Sequence, residues 1–354
     1  MPRPTTIPTV DTVDDLWEWT IVAGPSEEIQ AGFDYDGEIL IWRKWTTPAG
    51  RSQTQVVQSG GTVTDLHQGP PGWEVTGQVL DGGRVVIVEY EESQGDYNLW
   101  VYELESGART LLEQWGGEPK RHQIPMISLD GDRLAWLTTL DDGQSCIFIR
   151  NLATGTQFEA VCRPVDSNSV VIAPYLRWPV LTYQLIELAV DSDSDCRNIY
   201  TLRLPDGRPQ PHVVTECEGF SGAADETVLV WTEMRSETAF PWKVPLYGVG
   251  RDGQVVKLGV AGAGSVAICE GRAYWKKECS NCPDEIRSWV PGEPVKVLYR
   301  SPDVQGESYA TGISYATTLP RCHGSWVSLE RTGGRHDTPG SPDTILIAQR
   351  PKDD

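Results

Sequence analysis

The stretch Leu129–Gly155, LDGDRLAWLTTLDDGQSCIFIRNLATG, decides how the rest of the chain reads. It opens on an Asp-Gly pair at 130–131 and continues in an apolar run ending on Trp136. It then crosses a polar loop and enters a second apolar run through Phe148, before a Thr-Gly pair at 154–155. Asp-Gly is turn chemistry, because Asp bonds its own backbone and Gly reaches positive φ at no steric cost. The two runs are short, apolar and bounded by turns, which is how strands read.

That fragment recurs. Runs of the same kind are GEILIW (37–42), GRVVIV (83–88), GDRLAW (131–136), WPVLTY (178–183), ETVLVW (226–231), GRAYW (271–275) and GSWVSL (324–329). Their last residues fall at 42, 88, 136, 183, 231, 275 and 329, a period close to 48. A second run follows each: SQTQVVQ, NLWVYEL, CIFIRNL, NIYTLRL, PLYGVG, IRSWV and DTILIAQ. Third runs such as ARTLLEQ, TQFEAVC, HVVTECE, QVVKLGV and PVKVLYR come after the next turn. A period in the forties built from short strands is that of propeller blades.

The spacing therefore predicts an all-β fold, a seven-bladed β-propeller of four-stranded antiparallel blades, with six blades as the alternative count. Residues 16–354 form one domain in this reading, and residues 1–15, Pro/Thr-rich, form a linker. The last unit is one strand short, so the N-terminal run LWEWTIVA (16–23) is expected to complete it and close the fold. The pattern turn–Asp-Gly–strand–loop–strand–(Thr/Ser/Asp)-Gly–strand, clearest in LDGDRLAWL…IFIRNLATG and LDGGRVVIV…NLWVYELESG, resembles TolB-like and WD40-like propellers. It covers nearly all of residues 16–350, and what the resemblance implies is the fold.

Composition bounds the partners. The 354 residues carry 50 acidic and 30 basic side chains, a formal charge of −20. Such a surface repels phosphate backbones, and no dense Lys/Arg stripe overrides it, which argues against nucleic acid. No apolar run is long enough to span a membrane. Fourteen Trp and twelve Tyr against five Phe suit half-buried sheet faces, where a large ring keeps a polar atom at the rim.

The eight cysteines point to an oxidising compartment, so the chain is expected to be secreted, periplasmic or at the cell surface. It is read as following a removed signal or anchor, with the linker as a tether. Cys146 starts the third strand of its blade and Cys162 ends the fourth, and antiparallel neighbours bring such positions together. Cys196 and Cys217 hold the equivalent places one blade on. Cys269 and Cys322 sit in equivalent turns of successive blades and are expected to bridge them. Cys279 and Cys282, in KKECSNCPDE, are read as a local disulfide, against a redox pair or half a zinc site.

Chemistry-bearing candidates gather in the loops between first and second runs. Asp191, Asp193 and Asp195 alternate as D-x-D-x-D, the opening of a calcium loop, and calcium is the one cofactor so suggested. The Gly and distal Glu of an EF-hand are missing, and a solvated acidic loop is the competing reading. His336 and Asp337 form the one His–carboxylate pair placed on that face, a candidate acid and base. Trp242 is a candidate aromatic platform, against burial between blades. The leading function is a non-enzymatic binding or scaffold module meeting a protein or glycan at the loop face. The alternatives are a secreted propeller enzyme, a polysaccharide lyase or hydrolase using acidic loop residues, and a calcium-dependent lectin-like module.

Overall fold

The computed structural model describes residues 5–26, 29–46, 51–57, 62–70, 72–91, 95–115, 126–140, 143–163, 169–187, 196–205, 210–211, 217–234, 244–262, 264, 266–277, 283–301, 313–317, 320–335 and 343–352. These form seven sheets and, among the described residues, no helix. By contact the chain divides into two compact units, residues 28–176 and residues 1–27 with 177–354.

The first unit holds three antiparallel sheets. They run Ile29–Tyr35, Leu40–Thr46, Arg51–Val57, Val63–Gln68; then Trp73–Asp81, Arg84–Glu91, Asp96–Glu103, Ala108–Trp115; then Ile127–Asp130, Arg133–Thr139, Ser145–Asn151, Gln157–Arg163. Strand Ser169–Arg177 stands at the boundary. In the second unit the fourth sheet contributes Val180–Glu187, Cys196–Arg203 and Gln210–Pro211. The fifth runs Gly219–Ala224, Val228–Glu233, Val244–Gly250, Val255–Ala261, and the sixth Val266–Cys269, Arg272–Lys277, Glu285–Trp289, Val295–Arg300. The seventh has Ile313–Thr317, Trp326–Arg335, Asp343–Gln349 and, from the N-terminus, Thr20–Ser26. Each of the seven repeated runs lies in a sheet of its own.

Side chains alternate across a strand, so a strand buried on both faces reads as a continuous apolar run. In Arg84–Glu91, Val85 and Ile87 pack with Ile41 of the first sheet, and Val86 and Val88 pack with Leu129, Leu134 and Trp136 of the third. All four valine and isoleucine side chains are fully buried. The aromatic excess has a matching use. Trp136–Phe148, Tyr183–Tyr200 and Trp231–Tyr247 are directly opposed residues of neighbouring strands in three sheets, stacked with centroids 5.6, 5.4 and 5.7 Å apart. Gly248, in the strand beside Trp231, leaves room for Trp289 of the next sheet: a Cβ there would lie 2.5 Å from the indole ring.

The repeated turns do more than reverse the chain. Asp225 Oδ1 accepts from Thr227 N (2.7 Å), Thr227 Oγ1 (2.7 Å) and Val228 N (2.9 Å), organising its own turn. Its Oδ2 accepts from the backbone N–H of Gly271, in the turn of the next sheet, at 2.7 Å. Asp36 divides its oxygens the same way, between Glu38 and Ile39 N in its own turn and Gly83 N in the next. Asp81 Oδ2 accepts from Gly131 N at 2.6 Å. A second row of clasps lies deeper, where Leu80 N donates to Asp34 Oδ2 and Leu176 N to Ser128 Oγ, both at 2.9 Å. Gly271 has φ +76°, and an added Cβ would meet Thr227 Oγ1 at 2.9 Å, so both conformation and space require glycine there.

The N-terminal segment is a strap rather than a linker. Thr5–Thr6 pairs in parallel with the outer strand of the fifth sheet, and Thr9–Val13 with that of the sixth. β-Branched threonines favour extended backbone, and Pro is tolerated on an edge strand, where its carbonyl still accepts; Val295 N donates to Pro8 O at 3.0 Å. Thr20–Ser26 then pairs antiparallel with Asp343–Gln349 as the fourth strand of the seventh sheet. This strand begins four residues later than the expected 16–23. Residues before it turn so that Trp17 can insert, 4% exposed, among Tyr274, Leu298, Val327 and the Cys269 and Cys322 side chains. Trp19 Nε1 donates to Leu298 O at 2.9 Å, with its ring against Tyr299.

Among the described residues three disulfides are present: Cys146–Cys162, Cys196–Cys217 and Cys269–Cys322, with Cα separations of 4.2, 4.3 and 6.0 Å. The first joins directly opposed residues of neighbouring strands, and the third joins the sixth sheet to the seventh. Cys217 lies in a bend just before the fifth sheet instead of ending a strand of the fourth. Cys279 and Cys282 lie outside the described residues. Arg177, the last residue of strand Ser169–Arg177, closes over the inter-sheet bridge: Nε donates to Ile268 O (2.7 Å), and Nη2 to Cys322 O (3.1 Å) and Cys269 Sγ (3.5 Å).

Replacing Asp225 by Ala leaves the Gly271 and turn N–H groups without their acceptor and should cost about 2 kcal/mol or more in urea unfolding. Asp252→Ala, in an exposed turn, should cost well under half of that. Deleting residues 1–26 uncovers two sheet edges and removes a strand. The truncated protein should lose its cooperative melting transition; an unchanged Tm would mean the strap is dispensable.

Candidate functional site

Most residues singled out from the sequence fall in loops outside the described residues: Asp191, Asp193, Asp195, Trp242, His336 and Asp337. What is described is the set of strand ends that lead into those loops. Five residues beyond the first residue of their strands (Arg84, Arg133, Val228 and Arg272), the chain carries Glu89, Thr138, Glu233 and Lys277. Each is tied by its side chain.

The densest of these groups surrounds His67, in Val63–Gln68 of the first sheet. Its Nδ1 lies 2.5 Å from Tyr102 Oη, and its Nε2 contacts Glu89 Oε1. Glu89 Oε2 accepts from Asn98 Nδ2 (3.0 Å) and Trp100 Nε1 (2.8 Å), and the Arg109 guanidinium lies 3.7 Å from the Trp100 ring centroid. The Nε2 side of the ring faces the carboxylate and the Nδ1 side the hydroxyl. Burial pushes the Glu89 carboxyl up, but hydrogen bonds from His67, Asn98 and Trp100 and the His67 charge hold it below the usual carboxylate range. Burial pushes the Tyr102 hydroxyl up to about 12. A hydroxyl, an imidazole and a carboxylate in line imitate a nucleophile–base–orienter set. Here His67, Glu89 and Tyr102 are 3%, 1% and 5% exposed, and no substrate reaches them. The group joins the first sheet to the second.

The next seam uses a different acid. Glu113, in Ala108–Trp115, accepts from Trp136 Nε1 (2.6 Å) and Thr138 Oγ1 (3.4 Å) of the third sheet, and Thr138 is bonded to Tyr97 Oη at 2.6 Å. Burial raises the Glu113 carboxyl, and the hydrogen bonds from Trp136, Tyr97 and Thr138 only partly offset it.

At the sixth sheet the strand ends are charged and reachable. Glu285 Oε2 accepts from Arg287 Nε (2.9 Å), Arg287 Nη2 (2.6 Å) and Lys277 Nζ (3.4 Å), and Oε1 from Arg300 Nε (3.1 Å) and Nη2 (2.8 Å). Lys276 Nζ lies 3.3 Å from Asp284 Oδ2. These residues flank loop 278–282, which contains Cys279 and Cys282. As for metals, among the described residues the one group of three potential ligands is Cys146, Glu159 and Cys162, whose sulfurs are spent in a disulfide.

Comparison with known proteins bears on the fold. No protein-family model matches, and no curated protein matches. Solved structures do. The β-propeller domain of the Trilobed protease from Pyrococcus furiosus superposes with a TM-score of 0.61 at 12% identity, over 90% of this chain and 97% of that one. The fold is a β-propeller. Prolyl endopeptidases match at TM-score 0.60 and 13% identity, over 91% of this chain but 50% of theirs. An oligogalacturonate lyase in complex with manganese matches at TM-score 0.57 and 12% identity, over 100% and 99%. At these identities the likeness is one of fold, as the resemblance of the repeated runs implied.

His67 was not among the sequence candidates, because its partners lie 22 and 35 residues away on another sheet. The two buried acids make opposite contributions. Glu89, lowered in the native state, stabilises the fold above the ordinary carboxylate range and loses that effect as pH falls through its native value. Glu113, raised, costs stability once ionised, and the cost fades as pH falls through its raised value. At pH 7, Glu89→Gln should therefore lose about 3 kcal/mol in urea unfolding, and Glu113→Gln should stay within about 1 kcal/mol of the parent. Equal losses would contradict this assignment.

Proposed function

We propose that the chain is a disulfide-stapled, non-enzymatic binding propeller that works outside the cytoplasm and meets a protein or glycan partner at the loop end of its sheets. The observation that carries this reading is where the described acid–base groups are spent. His67, Glu89, Tyr102 and Glu113 are buried between sheets and committed to holding them together, while the sequence concentrates charge and aromatic surface in the loops. The location rests on the three disulfides, which persist in oxidising compartments. No helix of the described residues is long and apolar enough to cross a membrane.

One observation favours a second reading, a propeller enzyme acting on polysaccharide or peptide. The oligogalacturonate lyase covers this chain end to end without needing a further domain, and peptidases share the fold. In that reading His336 and Asp337 supply base and acid.

Both readings meet in one experiment. The labelled protein is titrated onto intact cells of its source and, in parallel, incubated with polygalacturonate and with chromogenic peptides. The binding reading expects saturable cell-surface binding, weakened in Trp242→Ala, and no product. Calcium at Asp191, Asp193 and Asp195 would make that binding sensitive to chelator. Product formation abolished by His336→Ala would overturn the binding reading in favour of the enzyme.

A further inference from the structure

We propose that the Cys269–Cys322 disulfide and the N-terminal strap form a redox switch. A dithiol reductant cuts the bond once Trp17 has left its pocket, and the cut releases residues 5–17 from the fifth and sixth sheets. The switch is independent of which partner the loop face meets.

The strap has one anchor. Thr5–Thr6 and Thr9–Val13 lie on their sheet edges by backbone pairing, with Val10, Val13 and Leu16 exposed. Among the described residues between 5 and 20, Trp17 alone is buried. Its pocket has two halves, Ala267, Cys269, Tyr274 and Leu298 from the sixth sheet and Cys322, Val327 and Ala348 from the seventh. The disulfide crosses from one half to the other, so the pocket keeps its shape while that bond holds. Trp17 Nε1 is buried and has no hydrogen-bond partner among the described residues. Packing alone therefore retains the ring, and moving it into water satisfies a donor. Trp19, by contrast, is pinned through Nε1 to Leu298 O.

The bond is shielded, yet placed for exchange. Cys269 and Cys322 are 3% and 2% exposed, so a thiol cannot reach them while Trp17 is seated. Arg177 Nη2 lies 3.5 Å from Cys269 Sγ. A guanidinium stabilises a thiolate, and exchange favours departure of the stabilised sulfur. The reductant's first thiolate accordingly attacks Cys322 Sγ, and the S–S electron pair leaves with Cys269 Sγ. This gives a mixed disulfide on Cys322. The reductant's second thiolate then attacks its own sulfur in that mixed disulfide and expels Cys322 as thiolate. The two cysteines take up the dithiol's two protons, and the reductant departs as a cyclic disulfide. With the halves unlinked, the pocket loosens and the strap loses its anchor.

The other described disulfides serve as internal references. Cys217 is exposed and Cys162 half-buried, and neither bond shares a cluster with the strap. The test treats the full chain with dithiothreitol, quenches with iodoacetamide and follows each bond by peptide mass. Cys196–Cys217 should open first and Cys269–Cys322 last. Trp17→Ala should speed opening of Cys269–Cys322 about tenfold and leave Cys146–Cys162 unchanged, since access controls the rate. With glutathione, a monothiol, the adduct should sit on Cys322 and the alkyl group on Cys269. In Cys269→Ala/Cys322→Ala, amide exchange of residues 5–17 should quicken about tenfold while residues 84–91 keep their protection. Equal acceleration of all three bonds by Trp17→Ala, or an adduct on Cys269, would overturn the proposal. So would strap exchange that matches the parent's in the double alanine variant.

Discussion

The bond from a turn aspartate to the backbone N–H of the next turn's glycine is the constraint on which the sheets' arrangement depends. An aspartate has two oxygens, and at Asp36 and Asp225 one closes its own turn while the other reaches one period ahead. The carboxylate thereby converts a local signal into a longer-range one. It sets the spacing between successive turns, and that spacing brings the alternating faces of strands such as Arg84–Glu91 against both neighbours at once. Packing supplies most of the stabilisation, since the hydrophobic effect scales with buried apolar area. The clasp supplies the registration, because apolar contact has no direction of its own.

At the outer end of the strands the seams are individual. The first seam of the residue 28–176 unit is held by a His–carboxylate–tyrosine group and the second by a lone carboxyl receiving an indole and a hydroxyl. In the other unit the sixth and seventh sheets are joined by a disulfide and by Trp17. Repetition thus governs the inner turns, and variety governs the periphery. This division follows from geometry: turns meet through a short aspartate and a backbone N–H, where one solution can recur, whereas the outer strands meet through side chains of differing length.

The strands and three cystine staples were legible in the sequence because their determinants are local or fall at fixed offsets. A run such as GRVVIV can be continuous and apolar only if both faces are buried, and Cys146 and Cys162 had to be opposed once their strands were placed. The strap was not legible. Threonine and proline in residues 5–13 read equally as a linker, and what makes them strands is the exposed edge of two sheets nearly 250 and 290 residues away. His67 was silent for a similar reason, since an isolated histidine in a polar strand carries no mark of a glutamate on another sheet. The charged row at Lys277, Glu285 and Arg300 needs the register of three strands before it becomes one feature. The loop candidates rest on residue type alone, which is why their role stays with the proposals.

Arg177 has a consequence for how the unit that contains it responds to acid. Its guanidinium gathers carbonyls from strands Val266–Cys269 and Arg321–His323, while the residue itself ends strand Ser169–Arg177 of the fourth sheet. Guanidinium does not release its proton at any pH a cell produces, so this latch, unlike one built on histidine, has no acid-sensitive setting. It is also backed by a disulfide shielded beneath Trp17. The join between the sixth and seventh sheets therefore rests on a permanent charge and a covalent bond, neither of which acid removes.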